Sequence, residues 1–214
     1  MITNYFNAIL PGWNLLNPLP PSSHSQRKLT TVPKVKKVEL KLPLESNTPT
    51  FYFFHILDDV SSLIQIEEKI PAYLSTPAKD ILEKIIFLLT KDLTVKISVR
   101  HIVASPELKE IFSPDASKLL PKFKDQDVLF PMGTQATKIV IKDSQPLHLI
   151  HSSIKTIVKN IVTERNSQEI TLNIVPLFHP EMLTINTSLK RPTWESLKHT
   201  IPLLVKLVSS TRPL

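Results

Sequence analysis

The stretch TPAKDILEKIIFLLTKDLTVKISVRHIV, residues 76–103, joins a helix pattern directly to a strand pattern. Thr76 offers a capping hydroxyl, Pro77 suits the first helical turn, and apolar residues then recur at helical spacing over residues 81–89. Over residues 93–99 apolar and polar side chains alternate, as they do in a strand with one buried face. The stretch therefore predicts a helix followed immediately by a strand.

Similar patterns continue on both sides of this stretch, and their order is mixed rather than strictly alternating. A mixed order favours an α+β fold over a parallel α/β sheet. We therefore expect mixed or antiparallel sheet packed with several helices. Strands are predicted over residues 38–44, 51–57, 127–131, 137–142, 169–179 and 182–189, and helices over residues 58–70, after Ser105, after Ser113, within residues 143–165 and from Trp194.

The proline-rich residues 1–33 predict an extended N-terminal arm. Prolines at positions 11, 18, 20, 21 and 33 are spaced so that neither a helix nor a central strand can run between them. A single α+β domain is expected over residues 34–214, with a candidate subdivision near residues 131–136. The sequence PLPP at residues 18–21 fits the pattern bound by SH3-type domains, so other protein partners could bind the arm, although a plain linker is the commoner meaning.

The composition excludes several classes of enzyme. The 214-residue chain has no cysteine, which removes disulfides, thiolate metal sites and cysteine nucleophiles. Its glycines are Gly12 and Gly133 alone, so neither a phosphate-binding glycine loop nor a G-x-S-x-G nucleophile elbow can form. With 42% hydrophobic residues the chain can bury a large core. We expect a folded, non-catalytic protein that holds no cofactor and no metal.

Three residue pairs in the sequence are candidates for a metal site or for acid–base catalysis. His148 and His151 stand three residues apart and could share a metal on a helix, but no third ligand follows at a matching spacing. The acidic pairs at residues 58–59 and 67–68 consist of adjacent residues whose side chains diverge, which suits a helix cap and a solvated helix face. A solvated or structural role is the simpler interpretation of all three pairs.

The net charge of +7 is concentrated at the two ends of the chain. Residues 1–50 hold six basic and two acidic side chains, residues 51–135 hold ten and twelve, and residues 136–214 hold ten and five. A surface where both ends meet would attract the phosphates of nucleic acid or of an anionic membrane, whereas a charge that only aids solubility is the alternative. The predicted polyanion-binding residues are Arg27, Lys28, Lys34, Lys36, Lys37, Lys155, Lys159, Lys190 and Arg191.

An apolar cluster precedes the basic residues of the arm. Such a cluster could insert shallowly into a membrane or pack on another protomer, so self-association is expected. The segment lacks the positive start and the unbroken apolar run of a secretory signal, and no window predicts a membrane span. An intracellular protein is expected, soluble or peripheral at a membrane and not secreted. The predicted membrane or protomer contacts are Tyr5, Phe6, Ile9, Leu10 and Trp13.

These features favour a non-catalytic structural or assembly protein with a basic contact surface. In size, charge and arrangement of arm and body the chain resembles the small matrix proteins of enveloped RNA viruses, which implies self-association and a role in virion assembly. The late-domain motifs PPxY, PTAP and PSAP are missing from the sequence. The alternative is a subunit of a large ribonucleoprotein such as an organellar ribosome. A hydrolytic or metal-dependent enzyme is the third class, for which the sequence defines no residue set.

Overall fold

The computed structural model describes residues 48–58, 60, 63–109, 111–112, 120–121, 123–142, 145–162 and 167–209. Three predicted segments lie outside these residues: the arm at residues 1–33, the strand at residues 38–44 and the helix after Ser113. The fold is therefore described from Thr48 onwards.

Within these ranges the chain forms one sheet of six strands and a set of helices. The strands are β1 (Thr50–Ile56), β2 (Ile64–Ile66), β3 (Ser98–Ala104), β4 (Val128–Pro131), β5 (Lys155–Val162) and β6 (Ser167–Ile174). The helices are α1 (Thr76–Thr90), α2 (Thr134–Ile141), α3 (Leu147–Ile150), α4 (Pro180–Ile185) and α5 (Lys190–Ser209), with a 3-10 turn at Thr187–Leu189.

The sheet is mixed, with the strand order β2-β3-β1-β4-β6-β5. The four inner strands are parallel to one another, whereas the edge strands β2 and β5 run antiparallel to their neighbours. At the centre, Phe53 of β1 lies opposite His101 of β3 and Phe130 of β4. The predicted α+β fold, with a mixed sheet and several helices, is confirmed for the described part of the chain.

The sequence TFYFFHI makes β1 a central strand. Its first six residues are buried, which fits an inner parallel strand covered on both faces. On one face Tyr52 and Phe54 belong to a core cluster with Ile139 and Val140 of α2. On the other face the rings of Phe53 and Phe130 stack with centroids 4.9 Å apart. The sheet thus has an apolar core on each side.

The two longest helices each bury one apolar side. The prediction of α1 is confirmed, but its cap is Ser75 rather than Thr76, because the Ser75 side chain accepts a hydrogen bond from the N–H of Ala78. In α5 the apolar residues Trp194 and Leu197 are buried, and the exposed side carries polar residues together with two prolines and Leu203. Among the helices in the described ranges, none combines the length and the hydropathy that crossing a bilayer requires.

The long helix predicted within residues 143–165 is wrong. Among the described residues 145–162, the helical ones are Leu147–Ile150, and after the left-handed residue Ser152 (φ 58°) the chain continues as β5. Six of the nine residues 154–162 are Ile, Val or Thr, and β-branched side chains favour a strand. The apolar residues in this segment fit both periods, and pairing with β6 selects the strand.

Five further segments also differ from the prediction. Residues 58–70 contain the strand β2 instead of a helix, and no helix follows Ser105 in the described residues 105–109. The predicted strands at residues 137–142 and 182–189 are helical, because alternation over so few residues does not separate the two periods. The last helix begins at Lys190 rather than Trp194 and continues through Pro202.

Candidate functional site

The structure places four of the nine predicted polyanion-binding residues on two separate elements. Lys155 and Lys159 belong to the edge strand β5, and Lys190 and Arg191 begin helix α5. The remaining five, together with the five predicted membrane or protomer contacts, lie outside the described residues. They are Arg27, Lys28, Lys34, Lys36 and Lys37, and Tyr5, Phe6, Ile9, Leu10 and Trp13.

The lysines of β5 have a structural explanation as well as a functional one. β5 is the last strand of the sheet, and lysines on an edge strand discourage pairing with other chains. Lys155 lies opposite Ile174 and is half-buried, so it does not project freely into solvent. The edge strand is therefore a weaker candidate for polyanion contact than α5.

Helix α5 carries a row of basic residues along its solvent side. Arg191, His199 and Lys206 are exposed, and Lys198 is half-buried at the margin between the buried and the solvent side, one turn from Trp194. Of these residues Arg191 was predicted from the sequence as a polyanion contact, whereas Lys198 and Lys206 were not. Helical spacing from Arg191 would have identified both, had the helix been extended back to Lys190.

Two contacts of α5 affect this row of basic residues: one pairs a member of the row with a carboxylate, and the other holds the helix in place. Nε of Arg191 donates to Oε1 of Glu195 over 2.9 Å, and this exposed pair lowers the pKa of Glu195. The Thr200 hydroxyl donates to the carbonyl of Ser152, which ties the middle of α5 to the turn before β5. The helix is thus fixed by its buried side while its basic side faces outward.

A second cluster consists of three histidines, two of them buried in central strands of the sheet and one half-buried beside them. His55 is the penultimate residue of β1, His101 lies within β3, and His179 immediately precedes α4. Nε2 of His55 lies 3.0 Å from Nδ1 of His101, and Nδ1 of His55 lies 3.3 Å from Nε2 of His179. The three rings form a single file, which we call the histidine row.

The two ends of the histidine row fix where each ring carries its proton. Nε2 of His101 lies 3.1 Å from the carbonyl oxygen of Lys69, which can only accept, so this nitrogen carries hydrogen. At the other end, the N–H of Glu181 donates to Nδ1 of His179 over 3.3 Å, so that nitrogen is bare. The hydrogen bonds then run in one direction, and all three rings are neutral with the proton on Nε2.

Burial keeps these rings uncharged. His55 and His101 are fully buried, and desolvation lowers the pKa of His101 to about 4 and that of His55 well below its ordinary value. His179 is half-buried, and burial lowers its pKa while the nearby Glu181 carboxylate raises it. The row is therefore a neutral hydrogen-bonded chain at pH 7, with its most accessible end at His179.

The row lies where open sheets of this kind usually bind ligands. Because β3 and β4 flank β1 on opposite sides, the carboxyl end of β1 is the point where the strand order reverses. Here the rings themselves fill the space, and Tyr73 packs edge-on against His55 with centroids 5.7 Å apart. The Tyr73 hydroxyl is buried without a hydrogen-bond partner among the described residues, and desolvation raises its pKa.

The geometry of the row does not suit a metal ion. His55 uses one ring nitrogen for His101 and the opposite one for His179, so the three rings cannot converge on one ion. In the residues that the structure describes, no group of three His, Asp or Glu side chains could hold a metal. His148 is exposed and His151 is buried, so they do not form the pair considered from the sequence.

His151 and Ser152 form a second buried contact. The Ser152 hydroxyl lies 2.9 Å from Nδ1 of His151, a distance that suits a nucleophile and its base. However, Ser152 is 4% exposed and His151 is 9% exposed, and the imidazole stacks on Phe178 with centroids 4.4 Å apart. A substrate cannot reach the hydroxyl, so we interpret the pair as part of the packing between the turn and α5.

Asp127 is a buried carboxylate that fixes the start of β1. Its two oxygens accept hydrogen bonds from the N–H groups of Thr50 (2.8 Å) and Lys124 (2.9 Å). Desolvation raises the pKa of Asp127 to about 6 despite these bonds. Thr50 begins β1 and Lys124 lies in the turn that leads into β4, so Asp127 fixes backbone at both places and we interpret its role as structural.

A groove of about 350 Å³ lies where α1 meets the first half of β3. Its lining is mainly aliphatic, with Thr90 and Lys69 as the polar members, and the Thr90 hydroxyl already donates to the carbonyl of Ile86. No cluster of titratable side chains converges on this groove within the described residues. It offers no acid, base or nucleophile arrangement for catalysis.

The chain was compared with known proteins, and no protein-family model, curated protein or solved structure matches it. The histidine row was also invisible to sequence analysis, because its members are separated by 46 and 124 positions. One signal existed: His55 and His101 each stand in apolar, strand-like sequence at a position that β alternation buries.

Proposed function

We propose that this protein is a non-catalytic structural or assembly protein that contacts the phosphate backbone of nucleic acid through the solvent side of α5. One observation carries the proposal: α5 buries its apolar side and presents Arg191 and Lys206 to solvent, with the half-buried Lys198 at the margin between them and the core. Such a row of cations, on a helix fixed to a rigid body, suits sequence-independent contact with phosphates.

The same observation favours nucleic acid over membrane for this helix. A helix that inserts into a bilayer surface needs a free apolar side. The apolar residues of α5 that could insert into a bilayer are buried in the protein core, including Trp194, Leu197, Ile201 and Leu204. The exposed Leu203 is the exception and is too small a surface for stable insertion. Membrane contact through the predicted arm residues remains the competing proposal.

The non-catalytic part of the proposal is supported by how the polar groups are used. The buried histidines bond to one another and to backbone groups, and the buried Asp127 bonds to two backbone N–H groups. These side chains are occupied by structural contacts, which suits a scaffold better than an enzyme.

The test is binding of the full chain to a fluorescent single-stranded RNA, measured by anisotropy between 50 and 200 mM salt. The variant Lys198→Glu/Lys206→Glu removes two cations from the solvent side of α5. Each phosphate contact on a single strand contributes about 0.7 to the salt slope, so losing two lowers the slope by about 1.4 and weakens binding.

A matched control keeps the change in net charge but places it elsewhere. Lys96→Glu/Lys109→Glu alters two exposed lysines at the two ends of β3 and should bind RNA with the wild-type salt slope. Equal weakening by both double variants would show that net charge alone acts, and the α5 surface would be rejected.

A parallel flotation assay with anionic phosphatidylserine vesicles separates the competing proposals. Binding to vesicles without binding to RNA would overturn the nucleic-acid proposal and favour the matrix-like alternative. Self-association of the purified protein, measured by light scattering, separates a matrix-like protein from a ribonucleoprotein subunit, which should stay monomeric.

A further inference from the structure

The histidine row connects the sheet to the beginning of α4. Its first bond comes from the N–H of Glu181, for which His179 acts as the helix cap, and its last bond ends on the carbonyl of Lys69 before α1. Glu181 also accepts bonds from the N–H (2.6 Å) and the hydroxyl (2.8 Å) of Ser75, the cap of α1. The start of α4 is thus held by the row on one side and by α1 on the other.

A one-directional row of neutral imidazoles has no place for an extra proton. A proton added to Nδ1 of His179 would face the N–H of Glu181, so two donors would point at each other and the cap would be lost. A proton on Nδ1 of His55 or of His101 would likewise face the Nε2–H of the next ring. Every protonation therefore breaks one bond of the row.

We propose that the histidine row is an acid-operated latch, which holds the start of α4 against the sheet at neutral pH and releases it when His179 takes up a proton. His179 responds first, because it is half-buried whereas His55 and His101 are fully buried. The released segment is short and local, namely α4 and its contact with Ser75.

The charged and polar groups around the row also favour protonation of His179 before His55 and His101. From α4, the Glu181 carboxylate favours a proton on His179, whereas each neighbouring imidazole disfavours a charge on His55. From the connection before α1, Lys69 contributes its carbonyl while its side chain is exposed, and Tyr73 contributes a ring and a neutral hydroxyl. From β3, Arg100 lies next to His101 in sequence, and its guanidinium is 3.8 Å from Glu67.

The first test uses the wild-type full chain labelled with ¹⁵N-histidine. At pH 7.5 we expect NMR to report the Nε2–H form for the three rings of the row. Hydrogen exchange measured by mass spectrometry, corrected for intrinsic rates, should then show protection of residues 181–185 falling by up to about tenfold between pH 7.5 and pH 5.5, the largest change that one histidine with an ordinary pKa in the open state can produce. Residues 51–54 in β1 should stay more strongly protected than α4 at both pH values, because buried core strands exchange only when the whole fold opens.

A variant isolates the proposed trigger. Asparagine is a good helix cap whose Oδ1 can replace Nδ1 as the acceptor for the N–H of Glu181, and it does not titrate, so protection of α4 in His179→Asn should not change between the two pH values. His199→Asn changes an exposed histidine of α5 and should behave as the wild type does.

Three results in the wild type would overturn the proposal. They are a charged or Nδ1–H ring in the row at pH 7.5, protection of α4 that does not change with pH, and protection of α4 equal to that of β1 at pH 5.5. The last would mean global unfolding rather than a local latch. An α4 that opens with the wild-type pH dependence in His179→Asn would exclude His179 as the trigger.

Discussion

Replacement of His151 by phenylalanine should reduce the loss of unfolding free energy that the protein suffers when the pH falls below 6.5. The imidazole stacks on Phe178 and is neutral when folded, because burial lowers its pKa from the ordinary 6.5 to about 4. The unfolded chain therefore binds the proton more readily than the folded one. The stability from this group is complete above pH 6.5 and is lost as the pH falls to about 4.

The magnitude follows from the size of the shift. About 2.5 pH units at about 1.36 kcal/mol per unit give about 3 kcal/mol over the whole window, of which about 2 kcal/mol is lost by pH 5. Phenylalanine keeps the stacking and cannot titrate, so this loss disappears. The buried Ser152 hydroxyl loses its partner, which costs about 1–3 kcal/mol at every pH and cancels in the comparison.

The assay is urea unfolding of wild type and His151→Phe at pH 7.5, 6.5, 5.5 and 5.0, followed by circular dichroism. Between pH 7.5 and 5.0 the variant should lose about 2 kcal/mol less stability than the wild type. Asp127 has the opposite sign, because its raised folded pKa adds stability as the pH falls below 6, but both proteins share it. His148→Asn alters an exposed histidine and should follow the wild type. Equal losses in wild type and His151→Phe would refute the reasoning.

Three further substitutions test other features of the fold. Glu181→Ala removes two hydrogen bonds to Ser75 and should lower the free energy of unfolding by about 1–2 kcal/mol, whereas an unchanged urea midpoint would show that α4 is held by other contacts. Gly133→Ala should cost about 1–3 kcal/mol, since φ is 89° at Gly133 and an added Cβ would lie 3.4 Å from that of His179; a thermal midpoint equal to wild type would argue against this backbone conformation. Pro202→Ala should raise the thermal midpoint, because an exposed proline inside α5 costs about 3 kcal/mol relative to alanine, and a lower midpoint would mean that the packing of α5 depends on the ring.

The elements with one clear period were predictable from the sequence. β1 is an almost uninterrupted apolar run, and α1 combines a first-turn proline with a long helical repeat. The segments that form β5 and α2 satisfy both periods, so their structure depends on contacts that are distant in the sequence. The parallel pairing of the inner strands was likewise beyond a local pattern.

In the candidate site, too, features with a local sequence pattern were predictable and features that depend on distant contacts were not. The basic side of α5 follows a local helical repeat, and the prediction found its first residues. The histidine row has no local pattern, because His55, His101 and His179 meet only after three parallel strands are assembled. Single histidines in apolar strands are usually satisfied core residues, and here they satisfy one another.

The central place of β1 has a consequence for synthesis of the protein on the ribosome. β1 is the first of the described strands to leave the ribosome, but the strands that pair with it, β3 and β4, are translated later. The other partner of β4 is β6, which is translated later still. The uncharged segment FYFFHI must therefore stay solvated while about 50 to 80 further residues are translated, and such segments readily form intermolecular cross-β contacts. Chaperone protection of the nascent chain over this interval would govern the yield of native protein.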